Sequence, residues 1–267
     1  MPADPRAVES LIAFWADAGV DVALGDAPVD RMAAGLEALK PRPPAASASI
    51  LRPAFAPPPE IAGAVEAART AAAAANDLAA LEAAIGAFEG CALKHQGARQ
   101  AVFARGDPAA PVMIIGEGPG GEEDLQGAPF VGRAGKLLDR MLAAAHLTGR
   151  VFITNTVFWR PPGNRTPTPA EQAACAPFLE RAIALVRPRF LLLVGAASAK
   201  HVLKQTDGIL ALRGRWFEWR SEDGALEIPA LPTLHPAFLL RQPAAKKKAW
   251  EDLMVLTERL DRGDRPT

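Results

Sequence analysis

The sequence predicts an α/β protein: a three-layer α/β/α sandwich with a mainly parallel central sheet, preceded by a helical N-terminal extension. Three observations lead there. Beyond Asp107, short apolar runs alternate with longer amphipathic stretches, the pattern of strands joined by crossover helices. The runs are continuously apolar, as in strands buried on both faces. Each expected strand ends in a small or polar residue, where an open parallel sheet binds its ligands.

Taken in order, Asp4 and Pro5 start a helix whose Val8, Leu11, Ile12 and Trp15 share a face, and a shorter helix follows with Met32, Leu36 and Leu39. Residues 1–40 are thus a helical extension. Seven prolines between Pro41 and Pro59 make residues 41–59 a linker or surface-wrapping arm. Residues 60–267 form the α/β domain. It opens with an alanine-rich helix over Glu60 to Ala75 and a second that Asp77 caps, with Leu78, Leu81, Ile85 and Phe88 on one face. Strands are expected at Val112 to Ile115, Val151 to Thr154, Phe190 to Val194 and Ala230 to Leu234, and a weaker pair frames Trp216 to Trp219. Helices are expected at Gly132 to Ala145, Pro169 to Val186, Ala196 to Lys204 and Pro243 to Leu260.

The 267 residues are 49% hydrophobic, enough to bury a full core. Formal net charge is zero, so any contact with nucleic acid must come from local basic patches. No apolar run reaches about eighteen residues and no signal peptide is visible, which predicts a cytoplasmic protein without membrane contact. Cys91 and Cys175 are the only cysteines, too few for a disulfide framework or an all-cysteine metal site.

The first strand runs into GEGPGGEED, where four glycines free the backbone to turn tightly and to approach a bound group without a Cβ in the way. No P-loop lysine follows, so the loop alone is equally the mark of a phosphate site or a plain turn. Joined in order to GAPFVGRAGKLLDRML, ITNTVFWRPPGNRTP and LHPAFLLRQP, it closely resembles the family four uracil-DNA glycosylases, over roughly Gly90 to Leu260. The resemblance implies a monofunctional enzyme that flips uracil out of single- or double-stranded DNA, hydrolyses its N-glycosidic bond in base excision repair and releases free uracil. It implies work at the nucleoid as a monomer. A non-catalytic DNA-damage-binding protein of the same fold, or a nucleotide-binding α/β enzyme, stays open as an alternative.

The strand-end residues carry the chemistry. Asn155 offers the acceptor and donors that match the N3–H and O4 edge of uracil, though such an asparagine also ties down turns. Phe130, by its place in the motif, stacks on the base. His235 is placed to stabilise the negative charge that leaves on uracil O2. Gly118 stands where the best-known uracil glycosylases carry a catalytic aspartate; its backbone can donate to O2, and Glu123, with Glu117 beside it, becomes the candidate for water. DNA contact is expected from Arg160, Asn164 and Arg165, from Arg241 and Lys246 with its neighbours, and from Leu239 and Leu240 as a wedge in the stack.

The family resemblance also implies an iron–sulfur cluster on four cysteines. The matching positions here are Phe88, Cys91, Trp159 and Cys175. Phenylalanine and tryptophan cannot ligate iron, so no cofactor and no metal are expected, with apolar packing in the vacated volume.

Overall fold

The computed structural model describes residues 59–262, and the helices and linker expected before Pro59 lie outside them. Its centre is a six-stranded sheet in the order β1-β3-β2-β4-β6-β5. The strands are β1 (Ala104–Gly106), β2 (Val112–Gly116), β3 (Val151–Asn155), β4 (Phe190–Val194), β5 (Phe217–Arg220) and β6 (Glu227–Thr233). The inner four are parallel, while β1 and β5 pair antiparallel at the two edges.

Alternation along the inner strands sorts their side chains between two cores. Met113, Ile115, Phe152, Leu191 and Leu193 face one side, with Cys91, Trp159, Cys175 and Phe178. Val112, Ile114, Ile153, Phe190 and Leu192 face the other, with Leu138, Leu142, Leu253 and Leu256. Both faces are covered, which is why these strands read as unbroken apolar runs.

The first face is packed by α1 (Pro59–Ala74), α2 (Leu78–Ala87), α5 (Pro169–Val186) and α6 (Ala196–Leu203). Asp77 caps α2, its carboxylate accepting from the Ala80 N–H at 2.7 Å. The second face is packed by α4 (Arg133–Ala144) and α9 (Lys246–Asp261). Short helices complete the chain: α3 (Gly121–Gln126), α7 (Ile209–Leu212) and α8 (Pro236–Arg241). Asp252 fixes α9 beneath β6, accepting from Thr233 Oγ1 at 2.7 Å and from Arg213 at 2.5 and 3.1 Å. Among the described residues no helix is long and apolar enough to cross a membrane.

Three differences from the expected elements have physical reasons. The helix expected over Pro243 to Leu260 is α9, entered through a 3-10 turn at Pro243–Ala245, and the expected elements leave out α8, a separate short helix that His235 caps and Gln242–Pro243 ends. The acidic stretch after β2 is helical, its N-terminus held by Glu123 as described below. Strand β1 is too short for periodicity to reveal.

Candidate functional site

Parallel pairing aligns the carboxyl ends of the inner strands: Gly116 lies opposite Asn155, and Val194 opposite Thr233. The residues that follow open one cavity of about 530 Å³, whose walls include Glu117, Gly118, Glu123, Phe130, Asn155 and His235. Asn164, Arg165 and Arg241 stand on it too. Segments more than a hundred residues apart therefore meet, as expected at a topological switch in an open sheet.

Asn155 is 1% exposed, and neither its amide oxygen nor its amide nitrogen has a hydrogen-bond partner among the described residues. A buried amide left unpaired costs about 1–3 kcal/mol, so native structures rarely leave one without reason. Its neighbours hold it in place. A Cβ on Gly116 would sit 2.4 Å from Asn155 Oδ1 and 2.5 Å from the Phe130 ring, so the bare backbone there lets amide and ring approach.

Phe130 is buried, its ring 5.8 Å from that of His235 at 31° between planes. Its backbone is left-handed, with φ 55°, an uncommon conformation for a bulky residue. Arg105 of β1 secures the turn by donating to the carbonyls of Pro129 at 2.7 Å and Phe130 at 3.2 Å. Behind it, α4 approaches so closely that a Cβ on Gly135 would lie 1.7 Å from the Phe130 carbonyl oxygen.

His235 is the N-cap of α8, and its Nδ1 accepts from the Ala237 N–H at 3.1 Å. The neutral ring therefore carries its proton on Nε2. Burial pushes the imidazole down to about 4, with Arg241 adding to the fall and Glu123 opposing it. At neutral pH it is an uncharged donor.

Glu123 is engaged by backbone. Oε1 accepts from the N–H groups of Val131 at 3.0 Å and Gly132 at 2.9 Å, and Oε2 from Gly120 at 3.2 Å. It closes the loop that carries Phe130, which leaves little capacity for activating water. Glu117 differs: it lines the cavity, and its carboxylate has no hydrogen-bond partner among the described residues. Its carbonyl accepts from Thr156 Oγ1 at 2.6 Å, fixing the backbone on that side.

The glycines act by the space they leave. Gly116, Gly118, Gly120 and Gly121 all have φ outside the left-handed region, so of the turn and the Cβ-free approach expected of them it is the approach that needs glycine. A Cβ on Gly118 would meet Val157 at 2.8 Å, and one on Gly120 would meet Glu123 at 2.7 Å, while Gly121 has ordinary clearance.

A family model of the uracil DNA glycosylase superfamily matches residues 103–254, more than half of the chain and all six strands. The chain belongs to that superfamily. Among curated proteins it is 39% identical to the Type-4 uracil-DNA glycosylase of Sulfurisphaera tokodaii, over 59% of this chain and 74% of the relative. Identity to the Type-4 enzyme of Saccharolobus solfataricus is also 39%, over 61% and 77%. The Thermotoga maritima enzyme matches at 39% over 55% and 75%.

The four positions that resemblance assigns to a cluster do not fit one in this member of the uracil DNA glycosylase superfamily. Cys91 and Cys175 are fully buried with sulfurs 3.8 Å apart, and burial pushes the Cys175 thiol well up, so it is protonated. The other two positions are filled by rings. Phe88 stands edge-on to Phe178 at 5.1 Å and 6.5 Å from Trp159, which is 1% exposed.

Of the residues expected to meet DNA, Leu239 is corrected. It is fully buried against Leu137, Leu234 and Ala249, because it falls on the inner face of α8, so it cannot wedge into a stack. Leu240 is half-buried beside it. Arg165 lines the cavity but binds Glu171 through both nitrogens at 2.8 and 2.6 Å, and Arg160 Nε donates to Asn164 at 2.7 Å. Arg241 and Lys246 are exposed. Sequence reasoning missed Arg105, since nothing local marks a three-residue edge strand as the support of a distant turn.

Proposed function

We propose that this protein excises uracil from DNA by hydrolysing the N-glycosidic bond, and does so without an iron–sulfur cluster. One observation carries the reading: a buried asparagine amide with both polar atoms unpaired, facing a cavity also lined by an aromatic ring and a neutral imidazole. Uracil satisfies that amide through N3–H and O4, stacks on Phe130 and presents O2 to His235 Nε2–H. When the C1′–N1 bond breaks, its electron pair stays with uracil and is held as an anion, partly on O2. Water adds its oxygen to C1′, and the proton it gives up passes through solvent to the uracil anion, which leaves as neutral uracil.

Glu117, with its carboxylate uncommitted, places that water; Glu123 sets the loop. The backbone at Gly118 supplements His235 toward O2. Arg241, Lys246 and the Arg160, Asn164 and Arg165 loop face the phosphates, with Leu240 in place of Leu239 at the stack. Packing of Phe88 and Trp159 supports a core that is complete without iron.

The test is release of free uracil from single-stranded and duplex uracil DNA, with iron measured on the same preparation. Asn155→Val and His235→Ala should each lower single-turnover release at least a hundredfold. Tight binding of uracil DNA with no uracil released would replace hydrolysis by damage binding. Stoichiometric iron would overturn the cluster-free reading.

A further inference from the structure

A second groove, of about 470 Å³, has Leu137, Met141 and Trp250 on its floor and Arg140, Lys246 and Lys247 on its rim. Trp250 is 40% exposed, an unusual setting for a large aromatic ring. The three cations are exposed, and none makes an ion pair among the described residues. The acids nearest them on the same helices, Asp139, Glu251 and Asp252, instead face Arg105 and Arg213.

The groove and the base pocket lie along the same helix, α4. Ala134 lines the pocket, while Leu137, Met141 and Ala144 line the groove, and their spacing of three and four puts all on one stripe of α4. On the other wall, Phe238 and Arg241 belong to the pocket, and Lys246 and Trp250 follow on the first turns of α9. From Ala134 to Met141 the helix rises about 10 Å. A stacked strand covers that in about three nucleotides at 3.4 Å each.

We propose that this groove is a stacking platform for an unpaired base about three nucleotides from the uracil, with Trp250 against the base and Arg140, Lys246 and Lys247 on phosphates. An exposed ring among free cations is how proteins hold single strands without reading sequence. The position of the uracil rests on the glycosylase reading; the affinity for a single strand does not.

The probe is a uracil-free thymidine 15-mer, with affinity read by tryptophan fluorescence and by filter retention. Trp250→Ala should weaken binding roughly tenfold, within the range of stacking losses. Lys246→Glu with Lys247→Glu, both exposed and safe for folding, should weaken it further and flatten the salt dependence by about 1.4 in log–log slope. In excision assays, the gain in KM on lengthening a uracil trinucleotide to a 15-mer should shrink about tenfold in Trp250→Ala. Equal 15-mer binding by the wild type and both variants would overturn the platform. So would a groove that binds an acidic, phenylalanine-terminated peptide through Trp250 while ignoring the 15-mer. If the wild type releases no uracil but the variants still lose 15-mer affinity, the glycosylase reading falls and the platform stands.

Discussion

Replacing Asn155 by valine should make the protein more stable and inactive at once. The amide is 1% exposed, and neither polar atom is paired among the described residues, so folding strips it of water without return from them. Such a loss costs about 1–3 kcal/mol. Valine has fewer side-chain atoms, favours a strand end and brings no polar group, so most of that cost disappears. A small void opening toward the cavity offsets part of the gain, leaving a net of about 1 kcal/mol. For a domain of this size that raises Tm by about 2–4 °C. The assay pairs calorimetric melting with single-turnover uracil release, where the loss should be at least a hundredfold. A variant that melts several degrees lower would show that the amide is satisfied within the protein, and one that keeps excising uracil would remove Asn155 from recognition.

The imidazole of His235, pushed down to about 4, should keep its activity well into acid: kcat/KM should lose its acid limb near pH 4, not near 6.5. Because the unfolded ring takes a proton below about 6.5 and the folded ring does not until about 4, stability should fall as pH drops through that window, and His235→Ala should lack this component in urea titrations. Gly116→Ala, with an ordinary backbone, should lose activity roughly tenfold or more, since its methyl would land 2.4 Å from Asn155 Oδ1 and 2.5 Å from Phe130. Glu123→Ala, by freeing three backbone N–H groups, should destabilise by about 2–3 kcal/mol and lower kcat while leaving the pH profile unchanged, whereas loss of a base would shift the profile. Asp252→Ala should cost about 2–4 kcal/mol in denaturant melts, because Thr233 Oγ1 loses its acceptor and the largely buried Arg213 keeps only the Lys248 carbonyl and the longer contact with Glu251.

The inner strands were readable because burial on both faces writes an uninterrupted apolar run, and their ends because a parallel sheet puts ligands there. Asn155 and His235 were found that way, and the structure brings both to one cavity. What escaped depends on contacts between distant segments. Arg105 supports Phe130 from an edge strand with no periodicity, and the carboxylate of Glu123 looked free until three loop amides closed on it. Leu239 and Leu240 are adjacent in sequence, yet a single turn of helix sends the first into the core. The glycines were legible as places of close approach, but which groups they clear, Asn155 and Phe130 at Gly116, only packing reveals.

The missing methyl at position 135 governs what the pocket could ever become. With the Phe130 carbonyl lodged where that carbon would be, and the turn already held from the other side by a guanidinium, the Phe130 ring has no backbone route of retreat. Admitting a two-ring base would therefore demand trimming the aromatic itself, and with it the surface proposed to grip uracil.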